Sequence, residues 1–282
     1  MKARLFAILS ALLLSTGAIA GLWAGPVQAA IFFDDSFEVT SPESSGWGYK
    51  ASSCFGSPCP YLDVSTDVAY AGSKSLKGTY SAAWSPNGDG NGAINTTGIT
   101  RGFPATTDLY NRYYYRTSGF TYNGVGTKHV YWKGDPGYPN FVSINWFSSR
   151  ELGFAGQNPN FNFYPNMARK PLADNVWYCI EEHVKLNTPG SADGVLEVWV
   201  DGTQTLGYYN RTFRGTVPNG GGVDGNSSNM VFTYLEIYKQ LGDGLMYYDQ
   251  FAAGNTRIGC GGSAVSTNDT TPPAPPGGLV VR

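Results

Sequence analysis

The chain has 282 residues, with 19 basic and 21 acidic side chains, and only 14% of its positions are charged. A formal charge of −2 and the lack of a basic arm exclude a protein that binds nucleic acid through phosphate contacts. Aromatic residues reach 15%, led by 19 Tyr, and 37 Gly supply turns, which is the profile of an extracellular β protein.

Lys2 and Arg4 precede an apolar run from Leu5 to about Ala24, followed by the small-residue cleavage box Val27-Gln28-Ala29. Residues 1–29 are thus predicted to be a signal peptide removed on export, which makes the mature protein secreted and extracellular with no membrane attachment. Their loss leaves 17 basic residues against 21 acidic ones, a net charge of −4. No later stretch approaches the ~20 apolar residues that a spanning helix needs.

Residues 30–262 read as one all-β domain. Ile31 to Glu38 is a first edge strand, followed by a Ser/Gly/Pro-rich loop containing Cys54 and Cys59. Ala71 to Tyr80 is a turn feeding a strand, and Trp84 to Gly98 is a Gly/Asn-rich loop. Asp108 to Arg116 alternates Tyr110, Arg112, Tyr114 and Arg116 against Asn111, Tyr113 and Tyr115. Further strands run from Gly126 to Lys133, Phe141 to Phe147 and Phe161 to Tyr164.

Trp177 to Asn187 and Val195 to Gly202 form a central pair of strands closed by an Asp-Gly turn. Tyr178, Ile180, Val184 and Leu186 share one face, interrupted by Glu182, while Trp177, Cys179, Glu181, His183 and Lys185 share the other. A long loop from Arg214 to Asn229 leads to strands at Met230 to Lys239 and Leu245 to Phe251. No helical period appears, and about a dozen short strands at frequent turns predict an antiparallel two-sheet sandwich. Residues 263–282 are a Pro-rich linker, ending in what looks like the start of a fibronectin-type-III-like module.

Four cysteines in an exported chain suggest two disulfides. Three pairings are open. The short Cys54–Cys59 spacing favours a local staple there, which leaves Cys179 with Cys260. Zinc would need paired short spacings that the four cysteines lack.

The pattern Trp177-Tyr178-Cys179-Ile180-Glu181, Val184-Lys185-Leu186-Asn187, Asp193-Gly194 and Trp199-Val200-Asp201-Gly202 resembles concanavalin A-like jelly-roll proteins of the polysaccharide-lyase kind, such as alginate, glucuronan and heparin lyases. So do Asp34 to Glu38, Gly72 to Leu76 and Tyr247 to Phe251, so that the resemblance spans nearly all of 31–260. It implies a glycan lying across a concave sheet, with a uronate polymer as substrate. β-Elimination requires a group that neutralises the uronate carboxylate, a base for the C5 proton and an acid for the leaving oxygen. The catalytic candidates are Lys128, His129, His183, Arg112, Tyr114, Tyr234 and Tyr238. The substrate-binding candidates are Lys133, Asn145, Glu181, Lys185, Trp132 and Glu236.

Two other readings stay open. A retaining glycosidase of this fold uses carboxylates about 5–5.5 Å apart. The usual Glu-x-Asp-x-Glu spacing is missing, which leaves Glu181 with Glu236 as the only pair to consider. A non-catalytic lectin-like or laminin-G-like module would stack sugars on Trp and Tyr. Asp34 and Asp249 could help hold a structural Ca²⁺, although acids on edge strands also serve to discourage sheet pairing. No cofactor is required for elimination. A monomer acting on an acidic polysaccharide is the expectation.

Overall fold

The computed structural model describes residues 30–50, 62–80, 97–121, 127–134, 140–145, 150–158, 160–218, 227–240 and 243–261. The signal segment, the Cys54–Cys59 loop and the Pro-rich tail lie outside them. In chain order the strands are β1 (Ile31–Asp35), β2 (Gly48–Lys50), β3 (Leu62–Ser65), β4 (Ser75–Tyr80), β5 (Thr97–Thr106), β6 (Asp108–Thr121), β7 (Thr127–Lys133) and β8 (Asn140–Asn145). They continue with β9 (Leu152–Asn158), β10 (Asn160–Phe163), β11 (Tyr178–Lys185), β12 (Gly194–Val200), β13 (Thr203–Arg211), β14 (Phe232–Gln240) and β15 (Asp243–Gly254). One 3₁₀ turn, Pro42–Ser45, is the only helix among the described residues.

All pairings between these strands are antiparallel, and they build two sheets. The eight-stranded sheet runs β13-β12-β11-β6-β15-β4-β3, with β1 paired to the far half of β15. The seven-stranded sheet runs β10-β9-β8-β7-β14-β5-β2. Each strand turns alternate residues inward, so that Tyr113, Ile180, Val184, Leu196 and Val198 meet Trp132, Phe141, Phe154, Leu235 and Ile237 in one apolar core. As the alternation predicts, Tyr178, Ile180, Val184 and Leu186 all belong to it.

Two features depart from simple alternation. A bulge shifts the register of β7 between Lys128 and Val130, so that Lys128 lies opposite Ile144 and Val130 opposite Ser143. One residue, His129, is the extra one and turns inward. It packs against Tyr115 at 4.9 Å between ring centroids and is fully buried. The second feature is Glu182, which points into the sandwich and is 1% exposed. Asn111 Nδ2 donates to it at 3.0 Å, Tyr113 Oη lies 3.3 Å from it, and the Ser143 hydroxyl of the opposite sheet completes the set.

Candidate functional site

The outward face of the eight-stranded sheet carries the central strand's polar inventory, and it is covered. Residues 255–261 cross it as a strap. The Glu181 carboxylate accepts the Ile258 and Gly259 amides at 2.7 and 2.8 Å and the Arg257 Nε at 3.0 Å. The Arg257 guanidinium sits over the Trp199 ring, 4.2 Å from its centroid. The Cys179–Cys260 disulfide expected from the spacing fastens the end of the strap. Glu181 is therefore fully buried and serves as a clamp.

Beside the strap, Tyr70 lies flat on Tyr114 with centroids 3.5 Å apart, and Arg112 is buried behind Tyr114. Burial and the contact with Tyr70 push the Tyr114 phenol up to about 12. His183 stacks on Tyr110 at 3.8 Å between ring centroids. Its Nδ1 meets Glu197 and its Nε2 meets Asp108, each at 2.8 Å. Burial works against the charged imidazole, but the two carboxylates outweigh it and raise its pKa. Lys185 lies on the same side, exposed, opposite Asp108.

The outward face of the seven-stranded sheet is built differently. The register sets Thr100, Glu236, Tyr131, Val142 and Ala155 in a row across β5, β14, β7, β8 and β9. On one side of the row Gly102, Tyr234, Lys133 and Asn140 align, and on the other Lys128, Ile144 and Gly153. Tyr131, Val142, Ile144 and Ala155 form a second apolar cluster, all at most 6% exposed, although they point away from the main core. Residues on a sheet's outer side are this buried only where neighbouring side chains or other segments cover them. Lys133 Nζ is 2.6 Å from Glu236 Oε2 and 4.6 Å from the centre of the Tyr131 ring. Glu236 is fully buried and rests above Gly98, where an added Cβ would come within 2.5 Å of its Oε1. Burial and the nearby Lys133 ammonium lower the pKa of Lys128.

The bulge in β7 creates this arrangement. Lys128 and Lys133 are an odd number of residues apart, so unbroken alternation would send them to opposite faces. The extra residue puts both ammonium groups on one.

The sequence-derived candidates are thus divided among three places. Lys128, Lys133, Tyr234 and Glu236 come together on the outward face of the seven-stranded sheet. Arg112, Tyr114, Glu181, His183 and Lys185 belong to the other sheet and cannot supply the other half of the same site. His129 and Trp132 lie between the sheets. Neither His129 nitrogen has a hydrogen-bond partner among the described residues, and burial holds its pKa down to about 3. It is a neutral packing residue. Glu181 and Glu236 stand on different sheets, so the carboxylate pair considered for hydrolysis does not form. Asn145 and Tyr238 belong to β8 and β14, and their side chains lie outside the described residues.

Asp34 is 3.8 Å from Arg112, and Asp249 accepts the Tyr70, Ala71 and Gln250 amides. Among the described residues no three His, Cys, Asp or Glu side chains group to hold a metal. Tyr131 was missed, although its alternation with Lys133 marked it as a neighbour on the same face.

No protein-family model and no curated protein matches the chain in sequence. Solved structures do match in shape. A cellulose-induced protein, Cip1, superposes with a TM-score of 0.58 at 17% identity, over 81% of this chain and 100% of its own. An endo-β-1,4-glucuronan lyase from the fungus Trichoderma reesei gives 0.54 at 12% identity, over 80% and 96%. Alginate lyase vAL-1 from a Chlorella virus gives 0.54 at 12% identity, over 75% and 94%. The chain has the fold of the jelly-roll polysaccharide lyases. At these identities the likeness is one of architecture, and it carries no residue's role across.

Proposed function

We propose that the protein is a secreted polysaccharide lyase, acting as a monomer on a uronate-containing glycan along the outward face of the seven-stranded sheet. The observation that carries this reading is the pair Lys128 and Lys133 on a sheltered aromatic and aliphatic floor. With Lys133 matched by Glu236, Lys128 is, among the described residues, the cation on this face that is left for a uronate carboxylate. Neutralising that carboxylate makes the C5 proton acidic, which is the electrostatic requirement of β-elimination. Tyr234 is half-buried and directly opposite Lys133, and it is the phenol placed to move a proton between C5 and the leaving oxygen. The glucuronan and alginate lyases that share the fold show that this architecture can carry elimination, which is compatible with this reading.

The decisive experiment incubates the protein with alginate, glucuronan, heparin and pectate while ultraviolet absorbance of the unsaturated product is followed. Absorbance growing with new reducing ends supports elimination. Reducing ends without absorbance mean hydrolysis, and retention on the polymer without product means a binding module. Lys128→Met is expected to lower kcat/KM by about 100-fold or more while leaving the melting temperature close to wild type.

A further inference from the structure

We infer that Glu182, hydrogen-bonded between the sheets to Asn111, Tyr113 and Ser143, is the positioning residue that seats β8, and with it the floor of the proposed glycan face, on the eight-stranded sheet. This rests on the reading of that face given above.

The geometry is a polar bridge through an apolar core. Glu182 comes from β11, and its neighbours Asn111 and Tyr113 come from β6 beside it, at 3.0 and 3.3 Å. Ser143 comes from the other sheet and also bonds the carboxyl. On β8, Ser143 lies between Val142 and Ile144, which face outward as floor residues. One peptide separates the inward bond from each floor side chain, so the seating of Ser143 fixes where both of them sit.

The surroundings favour an uncharged carboxyl. Facing it are Asn111 and Tyr113 of β6, Trp132 of β7, Ser143 of β8, Tyr248 of β15, and Val198 opposite it on β12. Tyr115 and His129 pack against the same rings. None of these groups is a cation. The His129 imidazole stays neutral, and burial drives the Tyr113 and Tyr248 phenols well above their ordinary range. Burial pushes Glu182 itself up to about 7, against the pull of its hydrogen bonds. A neutral carboxyl can donate one of these bonds as well as accept the others. A carboxylate in the same place has donors but no counter-charge, and its desolvation works against the folded sandwich.

The sign follows from linkage. An acid whose folded pKa lies above its unfolded value near 4.5 binds more protons when folded, so stability falls as pH rises from there to about 7 and is then level. In Glu182→Gln this slope is absent. The experiment measures hydrogen exchange of the Val142 to Ile144 amides, corrected for the intrinsic rate, and melting temperature across pH. The proteins are wild type, Glu182→Gln and Ser143→Ala.

In wild type, intrinsic-rate-corrected β8 exchange is expected to quicken as the pH rises from about 4.5 to about 7 and then to level off, and the melting gap to Glu182→Gln to shift against wild type over the same range. Glu182→Gln should keep slow exchange throughout, with elimination activity that holds level where the wild-type rate falls. Ser143→Ala should speed β8 exchange even at acid pH. Parallel pH courses for wild type and Glu182→Gln, or a Ser143→Ala protein with unaltered β8 exchange, overturn the inference. If no uronate polymer is bound or cleaved, the proposed function fails, while β8 exchange still decides whether Glu182 seats the strand.

Discussion

Single residues in this protein take their character from which side of a strand they occupy. Glu181 and Glu182 are consecutive, yet one clamps a surface strap and the other crosses the core to the opposite sheet. The two histidines diverge as sharply. His129 is buried without a charge partner and stays neutral, whereas His183 lies between two carboxylates that favour the imidazolium. A histidine whose folded pKa is raised above about 6.5 gives its full stabilisation below that value and loses it as pH climbs through the folded pKa. The melting gap between wild type and His183→Gln is therefore expected to be widest near pH 5 and to shrink toward alkaline pH. A gap that stays constant with pH would show that the imidazole is not charged in the folded state.

At the scale of elements, the bulge in β7 matters most, because it sets which candidates share a face. Most of the strands were legible in the sequence, where period-two runs bounded by Gly and Asp-Gly turns pointed to a sandwich, but β2, β3, β5, β9 and β13 were not read from it. The face of Lys128 was not legible. Sequence alternation assigns it with Val130 and Trp132, which are core residues, and only the extra residue at His129 returns it to the side of Lys133. Glu182 was visible as an interruption of an apolar face, and its partners Ser143 and Asn111 lie too far away in sequence to have been paired with it. The strap was hidden for another reason. Glu181 grips backbone amides there, which leave no pattern in side-chain order, and Cys260 was its one trace. Strand β5 offers a direct test of how closely the floor is fitted. Gly98→Ala would push a methyl group against the Glu236 carboxylate and disturb its bond to Lys133. A loss of roughly 1–3 kcal/mol is expected from such overpacking. Reduced affinity for a uronate polymer should accompany it, measured by denaturant unfolding and polymer retention.

For the whole molecule, the two sheets divide the work. The eight-stranded sheet has its outward side closed over by the strap, the Tyr70 stack and the His183 cluster. The seven-stranded sheet has a floor with small residues along β5 and β9 and cations along β7. This division predicts where a bound polymer will be felt. With a saturating uronate oligosaccharide, amide protection should rise in β7, β8 and β14 and stay unchanged in β11 and β12. Protection appearing on β11 and β12 instead would place the glycan on the wrong side for the proposed chemistry.

The strap also determines how the domain bears mechanical load. Residue 261, the last one described, lies on the side of the eight-stranded sheet, opposite the proposed glycan face. A pull on that end is taken first by a covalent sulfur bridge to β11 and by the Glu181 grip on two backbone amides. It reaches the strands carrying Lys128, Tyr131 and Glu236 only through the full thickness of the core. Load applied at that end therefore meets the Cys179–Cys260 bridge and the Glu181 clamp before it meets the outward face of the seven-stranded sheet.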